Sequence, residues 1–293
     1  MSLLAQALLE FELPAAPQRM DELPTCLPGS EAFRVHAPAG RFLVICSNGA
    51  LAVAFEATLF DLLAEARYPA PRPRRARGGS MIARLEGPGG AAAAAECYPW
   101  PPGEDLAPAA AKVQQLLEVG RLLARLHQLG ETHPASVADP RHAADLLGQV
   151  PPGAPERATL APVLEAGLPP LPSGAVHGGL RPSRALFIGD RCSAVLPSGV
   201  ACSAALVLDL AETAVGWLLG AKRPAAALRA LASGYQSLRR LLPEEVQSLF
   251  AALRFAAARE GARLAAQGKP AGLAALEVVD ALGEAEARSA AGG

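Results

Sequence analysis

The stretch AVHGGLRPSRALFIGD, residues 175–190, has the outline of a reactive loop. An apolar pair leads in, His177 is followed by the turn-forming Gly178 and Gly179, and Ala185 to Ile188 leaves as a strand. Loops held at strand ends by a rigid scaffold are where catalytic side chains usually sit. Two residues here carry usable chemistry. His177 could accept a proton, and Arg184 could grip a phosphate through its planar guanidinium. Between Val176 and Ile188 there is no carboxylate, amide, thiol or lysine. The loop has the shape of a catalytic segment without its reactive groups.

Other reactive residue types are scattered. His133, Asp139, His142 and Asp145 lie close in sequence but at no recognised metal-ligand spacing, and they read as surface. Five cysteines (Cys26, Cys46, Cys97, Cys192, Cys202) form no CxxC pair and suit reduced, buried thiols. Asp209 follows an apolar run, where a carboxylate suits the free N–H groups and dipole of a helix start; a relocated metal ligand is the alternative. The run RYPAPRPRRARGG carries Arg67, Arg72, Arg74, Arg75 and Arg77, either as a solvated loop or as a small patch for an acidic partner.

The elements that must position these residues follow from periodicity. Residues 2–10 predict a short helix. FRVHAPAGRFLVIC, from Phe33, predicts a hairpin about Pro-Ala-Gly. AVAFEATLFDLLAEA predicts a helix that stops at Tyr68-Pro69. Two strands are expected about the Gly-Pro-Gly-Gly turn at 87–90, with Ala91 to Ala95 read as strand from context alone. YPWPPGED, residues 98–105, is a stiff linker whose Trp100 packs at the lobe junction or faces the cleft. Beyond it come a long helix ending at Gly130, shorter helices at 139–149 and 155–167, and strands at 174–177, 185–188 and 192–196. From Ala204 onward the chain reads as helices broken near Pro224, Pro243 and Pro270, with the last five residues frayed. These predict an α+β protein of two lobes: a small mixed β/α lobe over 1–97, a linker over 98–105, and a mainly helical lobe over 106–293.

Composition sets limits. The 293 residues are 51% hydrophobic, enough for a sizeable core. A net charge of −1 argues against nucleic-acid binding, which draws on many cations. Three lysines (112, 222, 269) stand against 24 arginines, a bias that reads as GC-rich coding. The N-terminus lacks a basic signal-peptide region, and no apolar run reaches the ~18 residues of a membrane span. A cytoplasmic protein is expected, with no membrane association.

Several blocks, in order, resemble one family. His177, Leu180, Pro182, Leu186, Phe187, Asp190, Ala201, Cys202 and Asp209-Leu210-Ala211 match, without a gap, the catalytic core of the homoserine kinase-like branch of aminoglycoside and choline phosphotransferases. GRLLARLH (120–127), LASGYQSLRRLLPEEVQSL (231–249) and YPAPRP (68–73) resemble further family segments. The resemblance implies a two-lobed protein-kinase-like fold and ATP-dependent phosphoryl transfer. It also marks the departures. The loop Asp that positions the acceptor hydroxyl corresponds to Gly179, the Asn that helps hold magnesium to Arg184, and the magnesium-binding Asp to Pro197, followed by Ser198. No lysine precedes Lys112, so the family's phosphate-binding lysine is missing, and Arg41 or Arg34 in the hairpin is the candidate for its positive charge. The nucleotide-covering segment LPGSEAF (27–33) keeps Gly29 and Ser30 as candidate nucleotide contacts but is shortened.

Phosphoryl transfer is mostly positioning plus charge neutralisation by Mg²⁺, and Mg²⁺ takes oxygen ligands. Glycine, arginine and proline side chains offer none. In this fold a loop histidine usually braces backbone, so His177 reads first as structural. The expected function is that of a degenerate phosphotransferase, a pseudokinase that binds a protein partner or small anionic ligand. Magnesium is not expected, while ATP binding is left open. Two alternatives stand beside it: an active small-molecule kinase with a rearranged site, and a metal-independent nucleotide sensor built on Arg184.

Overall fold

The computed structural model describes residues 1–14, 17–25, 30–48, 50–133, 136–269 and 272–292. Five antiparallel strands, β1 (Arg19–Leu23), β2 (Ser30–Ala37), β3 (Gly40–Ser47), β4 (Ile82–Glu86) and β5 (Ala92–Pro99), form one sheet in the order β1-β2-β3-β5-β4. The β2–β3 hairpin turns where expected, with Gly40 at φ +127 closing the Ala37↔Gly40 pair. The alternation of side chains across a sheet gives it two apolar faces. Phe42, Val44, Cys46, Ala95 and Cys97 pack under α1 (Leu3–Glu10), which Ser2 caps through the Ala5 N–H. Leu43, Ile45 and Tyr98 point the other way, toward α2 (Ala50–Glu65) and the second lobe. The alanine run of β5 packs against α1 on one face and α2 on the other.

The second lobe is mainly helical. Helix α3 (Val113–Gly130) runs against α7 (Pro224–Gln236) with backbones almost touching. A Cβ on Gly120 would lie 2.1 Å from the Leu231 carbonyl, and one on Gly234 2.1 Å from that of Leu117. Helices α4 (Ala143–Gln149) and α5 (Pro155–Ala166) precede two small β-ribbons, β6 (Ser173–Val176) with β9 (Cys202–Ala205) and β7 (Ala185–Ile188) with β8 (Arg191–Val195). Helix α6 (Leu206–Leu218) is buried along almost its whole length, and α8 (Pro243–Ala266) and α9 (Ala274–Gly292) cover it. The linker region is tied down by the Glu104–Phe187 backbone bridge and by Ser193 Oγ donating to the Pro102 carbonyl.

Four elements differ from the sequence reading. β1 was not anticipated, because Arg-Met-Asp-Glu-Leu lacks apolar alternation; it is an edge strand with mostly exposed side chains. β9 was read as the start of the terminal helices, yet it pairs with β6. The helix expected over 139–149 begins only at Ala143. The C-terminus is helical through Gly292 rather than frayed over its last five residues, because Ala290 and Ala291 are buried.

Candidate active-site cleft

Asp209 organises the loop that opened the sequence reading. It lies in the first turn of α6, but its carboxylate turns outward from that helix. Oδ2 accepts the His177 N–H at 2.7 Å, and Oδ1 accepts those of Gly178 and Gly179 at 2.9 and 2.7 Å. His127, on α3, brings Nε2 to 3.0 Å of Oδ2, so that nitrogen carries the hydrogen in either charge state; its Nδ1 lies 2.7 Å from the Tyr235 hydroxyl. Burial pushes the Asp209 carboxyl up, but the hydrogen bond and charge of His127 outweigh it and hold the group below its ordinary value. Asp209 does stand at a helix start, as expected, but the free N–H groups it serves are those of the loop. Leu180 N–H donates to Thr213 Oγ1, and Trp217 Nε1 donates to the Leu180 carbonyl, so α6 holds the loop at five points. Gly178 and Gly179 are glycines for a reason, having φ of +84 and +96.

The turn that carries Pro197 is tied back to the loop and to Arg184. Leu196 N–H donates to the Arg184 carbonyl, His177 Nε2 lies 2.8 Å from the Leu196 carbonyl, and Ser198 Oγ lies 2.5 Å from the His177 carbonyl. His177 is fully buried and braces this turn. Arg184 is buried too, and its Nη2 donates to the Pro24 carbonyl in the first lobe at 2.8 Å. From α2, Glu56 reaches back across the same junction. Its Oε1 accepts Ser198 N–H at 2.9 Å and its Oε2 accepts Gly199 N–H at 2.8 Å, with Ser198 Oγ 3.0 Å from Oε1. Beside it, on the inner face of β5, Glu96 is fully buried with Oε2 accepting the Tyr98 hydroxyl at 2.5 Å. Burial, and next to it the Glu56 carboxyl, push Glu96 well above the usual carboxylate range. These residues do not fit a magnesium ion. Gly179, Arg184 and Pro197 offer no side-chain oxygen, the nearby carboxyls are already engaged, and no group of three or more His, Cys, Asp or Glu among the described residues could hold a metal.

On the far side of Gly179 lies a network of buried ion pairs. A Cβ on Gly179 would sit 3.3 Å from that of Glu212 on α6. The Glu212 oxygens accept from Arg141 Nη1 (2.9 Å) and Arg259 Nη1 (3.0 Å), both of which also bond Asp139. Arg181 and Arg263 converge on Glu260, which burial would raise but the two guanidiniums push down to about 2. Asp139 was read as surface; it is largely buried, and its partners come from α8, 120 residues on, as well as from Arg141. His142 and Asp145 are exposed, and His133 instead lies against Phe55. Restoring the missing loop carboxylate therefore fails on two counts. Gly179→Asp places a side chain at positive φ and a charge beside Glu212. It is expected to cost about 1–3 kcal/mol in urea denaturation and to yield no ATP-dependent ADP release.

Of the remaining expected contacts, Gly29 lies outside the described residues, and Ser30 begins β2 with its Oγ 3.0 Å from that of Ser47. Arg34 pairs with Asp21 and stacks over Trp100, 5.1 Å from the ring centre, which places Trp100 in packing. Arg72 pairs with Asp61 and Glu65, Arg75 bonds the Gly79 carbonyl, and Arg74 stacks on Phe42. Cys46, Cys97, Cys192 and Cys202 are buried free thiols. Sequence reading missed Glu56 and Glu96, though each is a lone acid within an apolar stretch, AVAFEATLF and AAAAAECY. Among the described residues no helix is long and apolar enough to cross a membrane.

Comparison with known proteins agrees with this fold. Two homoserine kinases are similar in sequence. That of Rhizobium meliloti (strain 1021) is 32% identical over 153 residues, 47% of each chain. That of Rhodopseudomonas palustris (strain BisB18) is 29% identical over 244 residues, 78% of this chain and 73% of the relative. The chain thus spans about half the length of the first relative and about three quarters of the second. In fold, it is similar to amicoumacin kinase hAmiN in complex with AMP-PNP, Ca2+ and Ami, with a TM-score of 0.72 at 13% identity over 98% of this chain and 92% of that one. It is likewise similar to a microcompartment-associated aminopropanol kinase, with a TM-score of 0.65 at 15% identity over 98% of both chains. The model of the phosphotransferase enzyme family matches residues 28–246, three quarters of the sequence, and the chain belongs to that family.

Proposed function

We propose that this chain is a catalytically inactive, homoserine kinase-like phosphotransferase, a cytoplasmic pseudokinase that acts by binding a protein partner or a small anionic ligand. One observation carries this reading: Gly179, Arg184 and Pro197 lack side-chain oxygens, and Glu56, Glu96, Asp209 and Glu212 around them are already engaged. A positioned base contributes ~10²–10⁴-fold and a metal several kcal/mol of charge stabilisation. Losing both removes the family's route to transfer, although such contributions do not add simply.

Glu212 favours a second reading, an active kinase with a rearranged site, because it stands beside the Gly179 position. Against it, both Glu212 oxygens are held by arginines. The sensor reading centres on Arg184, whose guanidinium is turned to the first lobe. The test is release of ADP from ATP with excess magnesium, using homoserine and small amino alcohols as acceptors. We expect no acceptor-dependent ADP above a protein-free control. Acceptor-dependent release that EDTA abolishes would establish the active kinase instead.

A further inference from the structure

The junction between the lobes is held by two reciprocal hooks. Glu56 belongs to the first lobe and ends on the Ser198–Gly199 turn of the second. Arg184 belongs to the second lobe and ends on the Pro24 carbonyl of the first. The turn that receives Glu56 is built like an anion-binding nest. Two successive N–H groups point the same way, Gly199 takes φ +85, and a hydroxyl stands beside them. Concavities of successive backbone N–H groups bind anions. Here the occupant is a side chain of the protein itself, with both carboxyl oxygens accepting.

The closed junction is not a relaxed core. His177 Nδ1 is completely buried and has no hydrogen-bond partner. Buried polar atoms are ordinarily paired, and leaving one unpaired costs free energy. In addition, the Glu56 carboxyl opposes ionisation of the Glu96 carboxyl beside it. Withdrawing Glu56 would relieve that opposition and open the junction to water. It would also uncover two N–H groups and a hydroxyl near a buried guanidinium. Such donors suit an oxyanion and offer nothing to a cation or to an apolar peptide.

We propose that the Ser198–Gly199 turn, with Arg184, is a metal-independent oxyanion site of the phosphate class, occupied in cis by Glu56, and that an external phosphoryl group displacing Glu56 frees α2 from the second lobe. This rests on the non-catalytic reading of the cleft and selects an anionic ligand over a protein partner for it.

The test is hydrogen–deuterium exchange of the full chain in EDTA, in inorganic phosphate, in ATP, and in chloride at matched ionic strength. Phosphate or ATP is expected to speed exchange in α2 at least threefold while slowing it at residues 198–200. An effect of phosphate assigns the site to the free anion, and an effect of ATP alone assigns it to a nucleotide. In calorimetry, Glu56→Ala is expected to bind the effective anion at least tenfold more tightly than the wild type, and Arg184→Gln in that background to lose the gain. Glu56→Gln, which keeps the shape and one acceptor, serves if the alanine protein does not fold. Unchanged exchange in both anions, or Glu56 variants that bind no more tightly, would overturn the proposal. Magnesium-dependent turnover would overturn the non-catalytic reading, and it is read in a separate assay.

Discussion

Replacing Asp209 with Asn is expected to remove about 3–5 kcal/mol of stability, a large share of the 5–15 kcal/mol typical of a folded domain. The substitution is nearly isosteric, so packing does not decide the outcome. The carboxylate takes three backbone N–H groups and the His127 Nε2 hydrogen on two oxygens. An amide presents one oxygen and one NH₂. Whichever way it turns, an NH₂ faces donors, and at least one buried N–H is orphaned. The loss should appear as a lower urea midpoint at unchanged slope, with faster amide exchange at 177–179. A loss under 1 kcal/mol would mean that the loop holds its shape without Asp209. Because the stability is tied to a lowered carboxyl, it is present at neutral pH and is lost as pH falls through the native-state value.

Arg259→Met is expected to cost a comparable 3–5 kcal/mol at pH 7. Arg259 Nη1 bonds Asp139 at 2.7 Å and Glu212 at 3.0 Å, and Nη2 donates to the Arg141 carbonyl. Without it, two buried carboxylates share Arg141 alone. Burial raises Asp139, but Arg141 and Arg259 outweigh it and hold the group well below its ordinary 3.8. In the wild type, this stability is fully present above about pH 4 and is lost only as pH falls through the lower native value. In the variant one carboxyl regains a proton at higher pH. The gap between the two proteins should therefore narrow between pH 7 and pH 4. Urea denaturation at both values checks it, and a gap that stays constant would show that lost packing against Phe255, rather than charge, is responsible.

How much of this was legible beforehand depends on how local each signal is. The α3 stripe around Gly120, the β2–β3 hairpin and the loop at 177–184 carry their patterns in a dozen residues and folded as read. The role of Asp209 did not show, because its position after an apolar run fits a helix start equally well, while its loop partners lie 30 to 32 residues earlier and His127 lies 82 residues earlier. Asp139 looked exposed beside His142 and Asp145, since Arg259, which ties it to Glu212, reaches it only through the packing of α8. Glu56 and Glu96 were visible as acids in apolar company but had no local partner to explain them. β1 gave no signal, because an edge strand needs no apolar face. Motif order alone points to Gly179, Arg184 and Pro197 as the places where the chain departs from the family pattern. That the surrounding carboxyls are already spoken for could be known only from the fold.

Calorimetric titration of the purified protein with ATP, first with magnesium and then with EDTA, tests the central claim most directly. A cleft without oxygen ligands for the metal predicts that magnesium makes no difference: either no heat in both titrations, or the same binding curve in both. Binding that requires magnesium and disappears in EDTA would contradict the account, because it would show that side chains other than those at Gly179, Arg184 and Pro197 hold the metal.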